Sequence, residues 1–408
     1  MTSIMLKAWA ACAAGVGLAV GVAAQDAAPR APDAAARPQA AAAPANSRDA
    51  DIKSAIQRGV EALLSMQEAG ENGEGEKSQW PYEGVYRVGG KIPIGYRVGG
   101  TAICAIALMR APGYDQDEAR RAAVGRAAEF IAAQVKHPLM SVDDYTGGYD
   151  VRAWGYIYAV QVLSEGKTIG AFAEDRRAAL DEACRWYLSA LVALEMPETG
   201  GWSYSRPAGR KTVGAPSPFM TGPALQALFV AKAAGYEVDA GVVRRGLDVL
   251  EKGRAASGAI NYAINPDGRR ADLVPGAMGR MLATESTLLL AGRSSPAGVR
   301  AALDAFFVHW GQLEARRKKP GTHVGPYGVA PYYFMYAHEA AGRAIEQLPR
   351  GERAEYRRLL AERLFAVRDE DGTWNDRVFR RSAAYGTACA MLALLAKDGP
   401  APAGWPGE

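Results

Sequence analysis

The chain has 408 residues, with 48 lysines and arginines against 44 aspartates and glutamates, so its formal net charge is only +4. This charge balance argues against a nucleic-acid partner, which favours strongly basic proteins. With 49% hydrophobic residues, the chain can bury the core of two ordinary domains or of one large repeat ring.

The first 24 residues have the pattern of a secretory signal peptide. Lys7 supplies the basic start, residues 8–20 form an apolar core too short to span a membrane, and 22–24 read Val-Ala-Ala. The pattern predicts a secreted or periplasmic protein. Cys12 leaves lipid anchoring open as an alternative, although Trp9 stands where a lipobox has a small aliphatic residue.

Composition divides the rest of the chain. Residues 25–48 are mostly Ala, Pro, Asp and Arg, which predicts a disordered linker. Residues 49–398 have a globular composition, and 399–408 form a short tail. No segment after the signal peptide is long and apolar enough to cross a membrane, so none is predicted to do so.

The globular part repeats one unit, an amphipathic helix followed by a more apolar one. Apolar residues recur at helical spacing in the first helix of each pair, with charged residues between them. Six pairs are predicted, with amphipathic members at 50–68, 116–136, 173–196, 239–253, 297–316 and 350–367 and apolar members at 97–110, 151–164, 218–233, 278–291, 329–343 and 382–396.

The joins within the pairs carry a second signal. In five of the six, an aromatic residue follows a glycine-containing turn. Glycine permits the left-handed backbone that ends a helix, and we expect the aromatic ring to wedge between neighbouring repeats. The aromatic residues are Trp80, Tyr149, Trp202 with Tyr204, Tyr262 and Trp374.

An open stack of such pairs needs polar-faced end caps. Here the last pair is among the most regular, and its apolar helix lies near the end of the globular segment. We therefore predict an all-α fold, an (α/α)6 toroid of six helical hairpins, with apolar helices inside and amphipathic helices outside.

Three short sequences resemble the repeats of the prenyltransferase and squalene-oxidase (squalene–hopene cyclase-like) superfamily. They are Gly-Gly-Trp-Ser-Tyr at 200–204, Asp-Gly-Thr-Trp at 371–374 and Tyr-Gly-Thr-Ala at 385–388. The resemblance extends over 50–397 and implies a barrel whose central cavity lies at the starts of the inner helices.

The catalytic motifs of that superfamily are not found. The acidic pairs nearest to its Asp-x-Asp-Asp motif, Asp143-Asp144 and 369–371, lack the spacing and read as solvated caps. No histidine lies in a zinc-binding motif, and Cys104, Cys184 and Cys389 sit among apolar residues, which predicts buried thiols. We predict no metal and no cofactor, and the sequence does not decide whether the protein is an enzyme.

Arginine begins four of the inner helices, at Arg97, Arg152, Arg280 and Arg380. A cation at a helix N-terminus opposes the helix dipole, and an anionic ligand would compensate for it. The alternative is that the arginines pair with rim carboxylates such as Asp150 and Glu285.

Aromatic residues gather at the same level of the predicted barrel, and they suit a ligand that stacks on rings. The predicted ligand-binding residues are Arg97, Asp150, Arg152, Trp154, Tyr204, Arg280, Tyr332 and Arg380. If the cavity is catalytic, the acid–base candidates are Glu285, His323 and Tyr333.

Three functions stay open at this point. The first is an exported toroid that binds an anionic or ring-stacking ligand, such as a glycan, a peptide or an isoprenoid-like molecule. The second is an enzyme in the same cavity, either isoprenoid cyclase-like or a glycan lyase or hydrolase. The third is a scaffold for protein partners. The sequence does not determine the oligomeric state.

Overall fold

The computed structural model describes residues 45–70, 75–142, 148–196, 198–205, 214–264 and 272–405. The predicted signal peptide, Cys12, the Asp143-Asp144 pair and most of the predicted linker lie outside these residues. The first helix begins at Ala45, so the last residues assigned to the linker are helical.

The described residues form twelve α-helices and four isolated β-bridges, with no β-strand. The six predicted hairpins are all present. The amphipathic members are α1 (Ala45–Met66), α3 (Glu118–Ala133), α5 (Glu174–Ala193), α7 (Ala240–Lys252), α9 (Pro296–Glu314) and α11 (Arg350–Ala366), and the apolar members are α2 (Ile94–Arg110), α4 (Arg152–Thr168), α6 (Pro218–Ala233), α8 (Val274–Leu290), α10 (Tyr333–Ile345) and α12 (Ala383–Leu395).

The apolar helices form a closed inner ring. Each packs against the next in chain order, and α12 packs back against α2. Burial follows the sequence pattern, because every residue of α12 is buried whereas α11 buries only four. An apolar helix has to be surrounded on all sides, and a ring of six with an outer layer provides this. The predicted (α/α)6 toroid is confirmed.

Three tryptophans of the joins pack between an outer and an inner helix and form the same two hydrogen bonds. The indole N–H of Trp80, Trp202 and Trp374 donates to an outer-helix carbonyl, at 2.7 Å (Leu63), 2.8 Å (Leu191) and 2.8 Å (Leu364). The backbone N–H of each tryptophan donates to a threonine hydroxyl on the next inner helix. These threonines are Thr101, Thr221 and Thr387, at 2.9, 3.0 and 3.1 Å.

In two repeats a glycine beside that threonine makes the close approach possible. A Cβ on Gly100 would lie 2.5 Å from the Trp80 carbonyl oxygen, and one on Gly386 would lie 2.3 Å from that of Trp374. Any side chain there would displace the tryptophan. The sequence Gly-Thr-Ala in the inner helix and the tryptophan in the join therefore form one packing unit.

Cys104, Cys184 and Cys389 are buried free thiols, as predicted, and burial raises the pKa of each. No described helix is long and apolar enough to cross a membrane. Part of the predicted tail is attached to the ring. The Trp405 backbone N–H donates to the Leu290 carbonyl at 2.9 Å, and its ring lies 5.6 Å from that of Phe229.

Candidate functional site

A cavity of about 240 Å³ lies at the end of the ring where the inner helices begin. Its wall comes from the first turns of α2, α4, α6, α10 and α12 and from the joins before them. Twelve of the nineteen lining residues are aromatic: Tyr82, Tyr86, Tyr96, Tyr149, Trp154, Tyr158, Tyr204, Phe219, Tyr262, Tyr332, Tyr336 and Tyr385.

One wall carries a chain of hydrogen-bonded side chains. The Tyr262 hydroxyl lies 3.3 Å from the hydroxyls of Tyr204 and Tyr332. His323 Nε2 lies 2.9 Å from the hydroxyls of both Tyr332 and Tyr333. The imidazole at the mouth of the cavity is thereby connected to four tyrosines. Two of them, Tyr204 and Tyr262, precede it in the sequence, and the other two, Tyr332 and Tyr333, follow it.

Arg280 lies behind this wall. Its guanidinium is 5.4 Å from the ring centres of both Tyr262 and Tyr333, and it is held by Asp272 at 2.9 Å and by the Ile260 carbonyl at 3.0 Å. Partial burial and the Arg280 charge lower the pKa of His323. This shift favours the uncharged imidazole, which can accept a proton or a hydrogen bond.

The opposite wall centres on Trp154. Its ring packs at 5.5 Å from Tyr96, 5.8 Å from Tyr82 and 5.0 Å from Tyr158. Nearer the mouth, Tyr149 stacks on Tyr86 at 3.7 Å and its hydroxyl lies 3.2 Å from that of Tyr96. The rings present both faces and edges to the cavity, which suits a ligand that stacks.

Three tyrosines close the cavity from below. Tyr158, Tyr336 and Tyr385 also line a second space of about 20 Å³ deeper in the ring. Two ion pairs flank that space, Arg110–Glu165 at 2.7 Å and Arg343–Glu339 at 2.8 Å. These three tyrosines therefore lie between the aromatic cavity and the deeper space.

Of the lining residues that the structure describes, Arg377 is the one with a charged side chain. It comes from the join between α11 and α12 and is 3% exposed, beside the fully buried Asp376. Burial raises the pKa of Asp376 to about 7, although the Arg377 charge and the backbone N–H groups of Met335 and Asp376 lower it. No group of three or more metal-binding side chains occurs in the described parts of the chain.

The structure brings together five of the predicted site residues. Trp154, Tyr204, Tyr332 and His323 line the cavity, and Tyr333 is hydrogen-bonded to His323. Two of them were predicted for acid–base work and three for ligand binding. Arg280 belongs to the second layer, where it faces the tyrosine rings rather than the ligand space.

The prediction that arginines ring the cavity is wrong, since none of the four lines it. Arg97 donates to Gln79 at 2.8 Å and lies over the Phe130 ring of the outer helix α3. Arg152 is buried in an ion pair with Asp150 at 2.8 Å. The alternative, pairing with a rim carboxylate, therefore holds for Arg152, whereas the Arg97 guanidinium donates to the side-chain amide of Gln79.

Arg380 and Glu285 also lie elsewhere. Arg380 is exposed in a groove between the first and last repeats. Glu285 accepts two hydrogen bonds from Arg254, at 2.8 and 2.9 Å, and one from Ser294 at 2.6 Å, in a separate groove. Its partner is Arg254 because Arg280 is already paired with Asp272.

Replacing Glu285 with glutamine should lower stability by about 1 kcal/mol and leave any cavity ligand bound as before. The carboxylate is mostly buried but Arg254 is 38% exposed, so water screens their attraction. Denaturant unfolding and ligand titration of the variant check both parts. A loss of ligand binding in this variant would show that Glu285 contributes to the binding site after all.

Spacing could have revealed two cavity residues that sequence reasoning did not select. Tyr158 follows Trp154 by four positions and Tyr336 follows Tyr332 by four, and residues four apart share one helix face. Arg377 had no comparable signal, because Arg380 and Arg381 are nearer to the helix start. The join aromatics Tyr149 and Tyr262 line the cavity instead of wedging repeats.

Solved proteins of low sequence identity share this fold. The GH76A α-1,6-mannanase from Salegentibacter sp. HEL1_6 is 14% identical with a TM-score of 0.53, and the match covers 84% of this chain and 99% of that one. D-mannose isomerase is 13% identical with a TM-score of 0.54 and coverages of 88% and 100%. A variant of the type II terpene cyclase MstE from Scytonema, in complex with geranylgeranyl dihydroxybenzoate, is 12% identical with a TM-score of 0.52 and coverages of 86% and 99%.

These likenesses confirm the α/α-toroid fold that the sequence resemblance implied. At such low identity they show the fold alone, and toroids carry unrelated chemistries. No protein-family model matches the chain. No curated protein matches it either.

Proposed function

We propose that the protein binds a small ring-shaped ligand in its aromatic cavity, with a sugar ring as the first candidate. The observation that carries this proposal is the lining itself, in which twelve of the nineteen described residues are aromatic. Binding sites are concave and mostly apolar, with a few polar groups that orient the ligand. The hydroxyls and His323 are such groups.

The polar groups favour a sugar over a purely apolar ligand. The buried hydroxyls of Tyr82 and Tyr336 have no hydrogen-bond partner in the described part of the chain, and an unpaired buried hydroxyl costs about 1–3 kcal/mol. A sugar offers C–H faces to the rings and hydroxyls to these groups. The volume of about 240 Å³ is below the roughly 300–1,000 Å³ of drug-sized sites, which suits one ring better than a long isoprenoid chain.

Calorimetric titration with D-mannose, D-glucose and their disaccharides tests the proposal, and Tyr86→Ala is the decisive variant. Tyr86 is 38% exposed at the mouth, so its loss should leave the ring folded while removing a stacking face. We expect its dissociation constant to rise roughly tenfold. Tyr327→Ala is the matched control, because that half-buried tyrosine does not line the cavity.

Two results would count against this function. If no sugar in the panel binds, the sugar ring is the wrong ligand class. If a sugar binds and the Tyr86 and Tyr327 variants behave alike, the ligand is bound outside the aromatic cavity.

An enzyme in the same cavity is the second candidate. The neutral His323 lies within hydrogen-bond reach of Tyr332 and Tyr333 at the cavity mouth, which is the arrangement that a general base needs. If a bound sugar is turned over, His323→Gln should abolish turnover while the dissociation constant changes little. If the variant and the parent turn over the sugar at the same rate, His323 is not the general base.

We also propose that the protein is exported, on the strength of the signal-peptide pattern in residues 1–24. Cell fractionation and N-terminal sequencing of the mature chain test this. A mature N-terminus near residue 25 is expected, and an uncleaved chain in the cytoplasm would contradict it.

A further inference from the structure

The join that follows Trp374 holds Arg377 rigidly against the cavity. The Asn375 side chain accepts from the Arg377 backbone N–H at 2.9 Å and donates to the Phe379 carbonyl at 2.9 Å. The two bonds of Trp374 fix the start of the same join. These bonds fix the backbone of Arg377 beside the cavity.

The guanidinium of Arg377 is buried without the partners that a buried cation needs. It is 3% exposed, and its Nε and Nη1 groups have no hydrogen-bond partner among the residues that the structure describes. The Phe379 ring lies 5.8 Å away and offers only a cation–π contact. Leaving charged donors unpaired in the interior is costly, so such a group lining a cavity indicates a missing partner.

The neighbouring carboxylate does not supply that partner. Asp376 is fully buried, and neither of its oxygens has a hydrogen bond of good geometry. The Asp376 carboxyl and the Arg377 guanidinium interact electrostatically but form no hydrogen bond with each other. Among the described residues that line the cavity, Arg377 is the one with a charged side chain.

We propose that Arg377 binds the carboxylate of the ligand, so that the cavity takes a ring that carries one carboxylic acid group. The planar guanidinium matches a carboxylate with parallel N–H donors, while the tyrosines stack on the ring. This inference rests on the proposed function and narrows its ligand class. A sugar acid and an aromatic acid share this chemistry.

Paired titrations separate the acid group from the ring. D-glucuronate is compared with D-glucose, and 4-hydroxybenzoate with 4-hydroxybenzyl alcohol, using the intact protein. In at least one pair the acid should bind roughly 10- to 100-fold more tightly than its neutral analogue. The pair that shows the difference identifies the source of the ring.

The variant Arg377→Met should bind the acid no more tightly than its neutral analogue, and the dissociation constant of the neutral analogue should not change. Arg377→Lys should keep part of the preference for the acid. Arg87→Met is the matched control. Arg87 lies 5.5 Å from the same Phe379 ring but is paired with Glu83 and does not line the cavity, so the preference should survive.

Each result decides something different. Equal binding of acid and neutral analogue to the unaltered protein overturns the role of Arg377 and leaves ring binding intact, even if the Arg377 variants fail to fold. A preference that persists in Arg377→Met also overturns it. If neither member of either pair binds, the proposed function fails and this inference fails with it.

Discussion

Replacing Trp374 with alanine should destabilise the ring by about 3–5 kcal/mol. Its indole is 1% exposed, and its two hydrogen bonds tie outer helix α11 to inner helix α12. The substitution removes a large buried ring and the indole N–H that donates to the Leu364 carbonyl, whereas the backbone N–H that donates to the Thr387 hydroxyl is kept. Because α12 packs against α2, the loss falls on the contact that closes the ring.

Denaturant unfolding followed by circular dichroism measures this loss. Trp374→Phe keeps most of the ring but loses the indole N–H, so it should cost less, about 1–2 kcal/mol. Trp405→Ala is the control, because that tryptophan is half-buried at the tail. A Trp374→Ala protein within about 1 kcal/mol of the parent would show that the wedge is dispensable.

Replacing Asp376 with asparagine should stabilise the protein progressively as the pH rises. Burial raises the pKa of this carboxyl from 3.8 to about 7, so the folded state holds a proton that the unfolded state releases. The contribution of the Asp376 carboxyl to the free energy of unfolding is largest below pH 3.8, where it is protonated in both states. This contribution is lost as the pH rises through about 7. Three pKa units correspond to about 4 kcal/mol as an upper bound.

Asparagine has no such titration. The stability of the variant relative to the parent should therefore increase between pH 4 and pH 8, by up to about 4 kcal/mol. The groups that interact electrostatically with this carboxyl are Arg317, Arg377, Tyr82, Tyr385 and Cys389. Burial raises the pKa of the last three, so they stay uncharged over this range.

Denaturant unfolding curves at four or five pH values show how the difference in unfolding free energy between variant and parent changes with pH. Asp371→Asn is the matched control, since Asp371 is exposed and its bonds to Thr373 lower its pKa. Its variant should show a small effect of the opposite sign, confined to acid pH. A difference between Asp376→Asn and parent that stays flat with pH would mean that Asp376 remains ionised in the fold.

The sequence located the aromatic residues and His323 of the site better than it located the charged residues. Tyr204, Trp154, Tyr332 and His323 belong to the joins or to the first turns after them, and a ring places all such segments at one end. The arginine prediction used the same reasoning and was wrong. A helix-start residue can point towards the axis, the neighbour or the outer layer, and Arg97 points towards Phe130.

The fold follows from local patterns that the chain repeats six times. Helical periodicity separates inner from outer members, and the glycine turns with Trp80, Trp202 and Trp374 mark how the members pair. These patterns are readable because each depends on residues close together in the sequence. Ring closure also follows, since an unmatched apolar helix at either end would face water.

The cavity depends instead on contacts between distant segments. Arg280 pairs with Asp272 and not with Glu285, and Arg377 rather than Arg380 reaches the cavity. Both outcomes are set by the rotation of each helix about its axis and by the path of each join. Those are fixed only when all six hairpins pack together, so the direction of a charged side chain is a property of the closed ring.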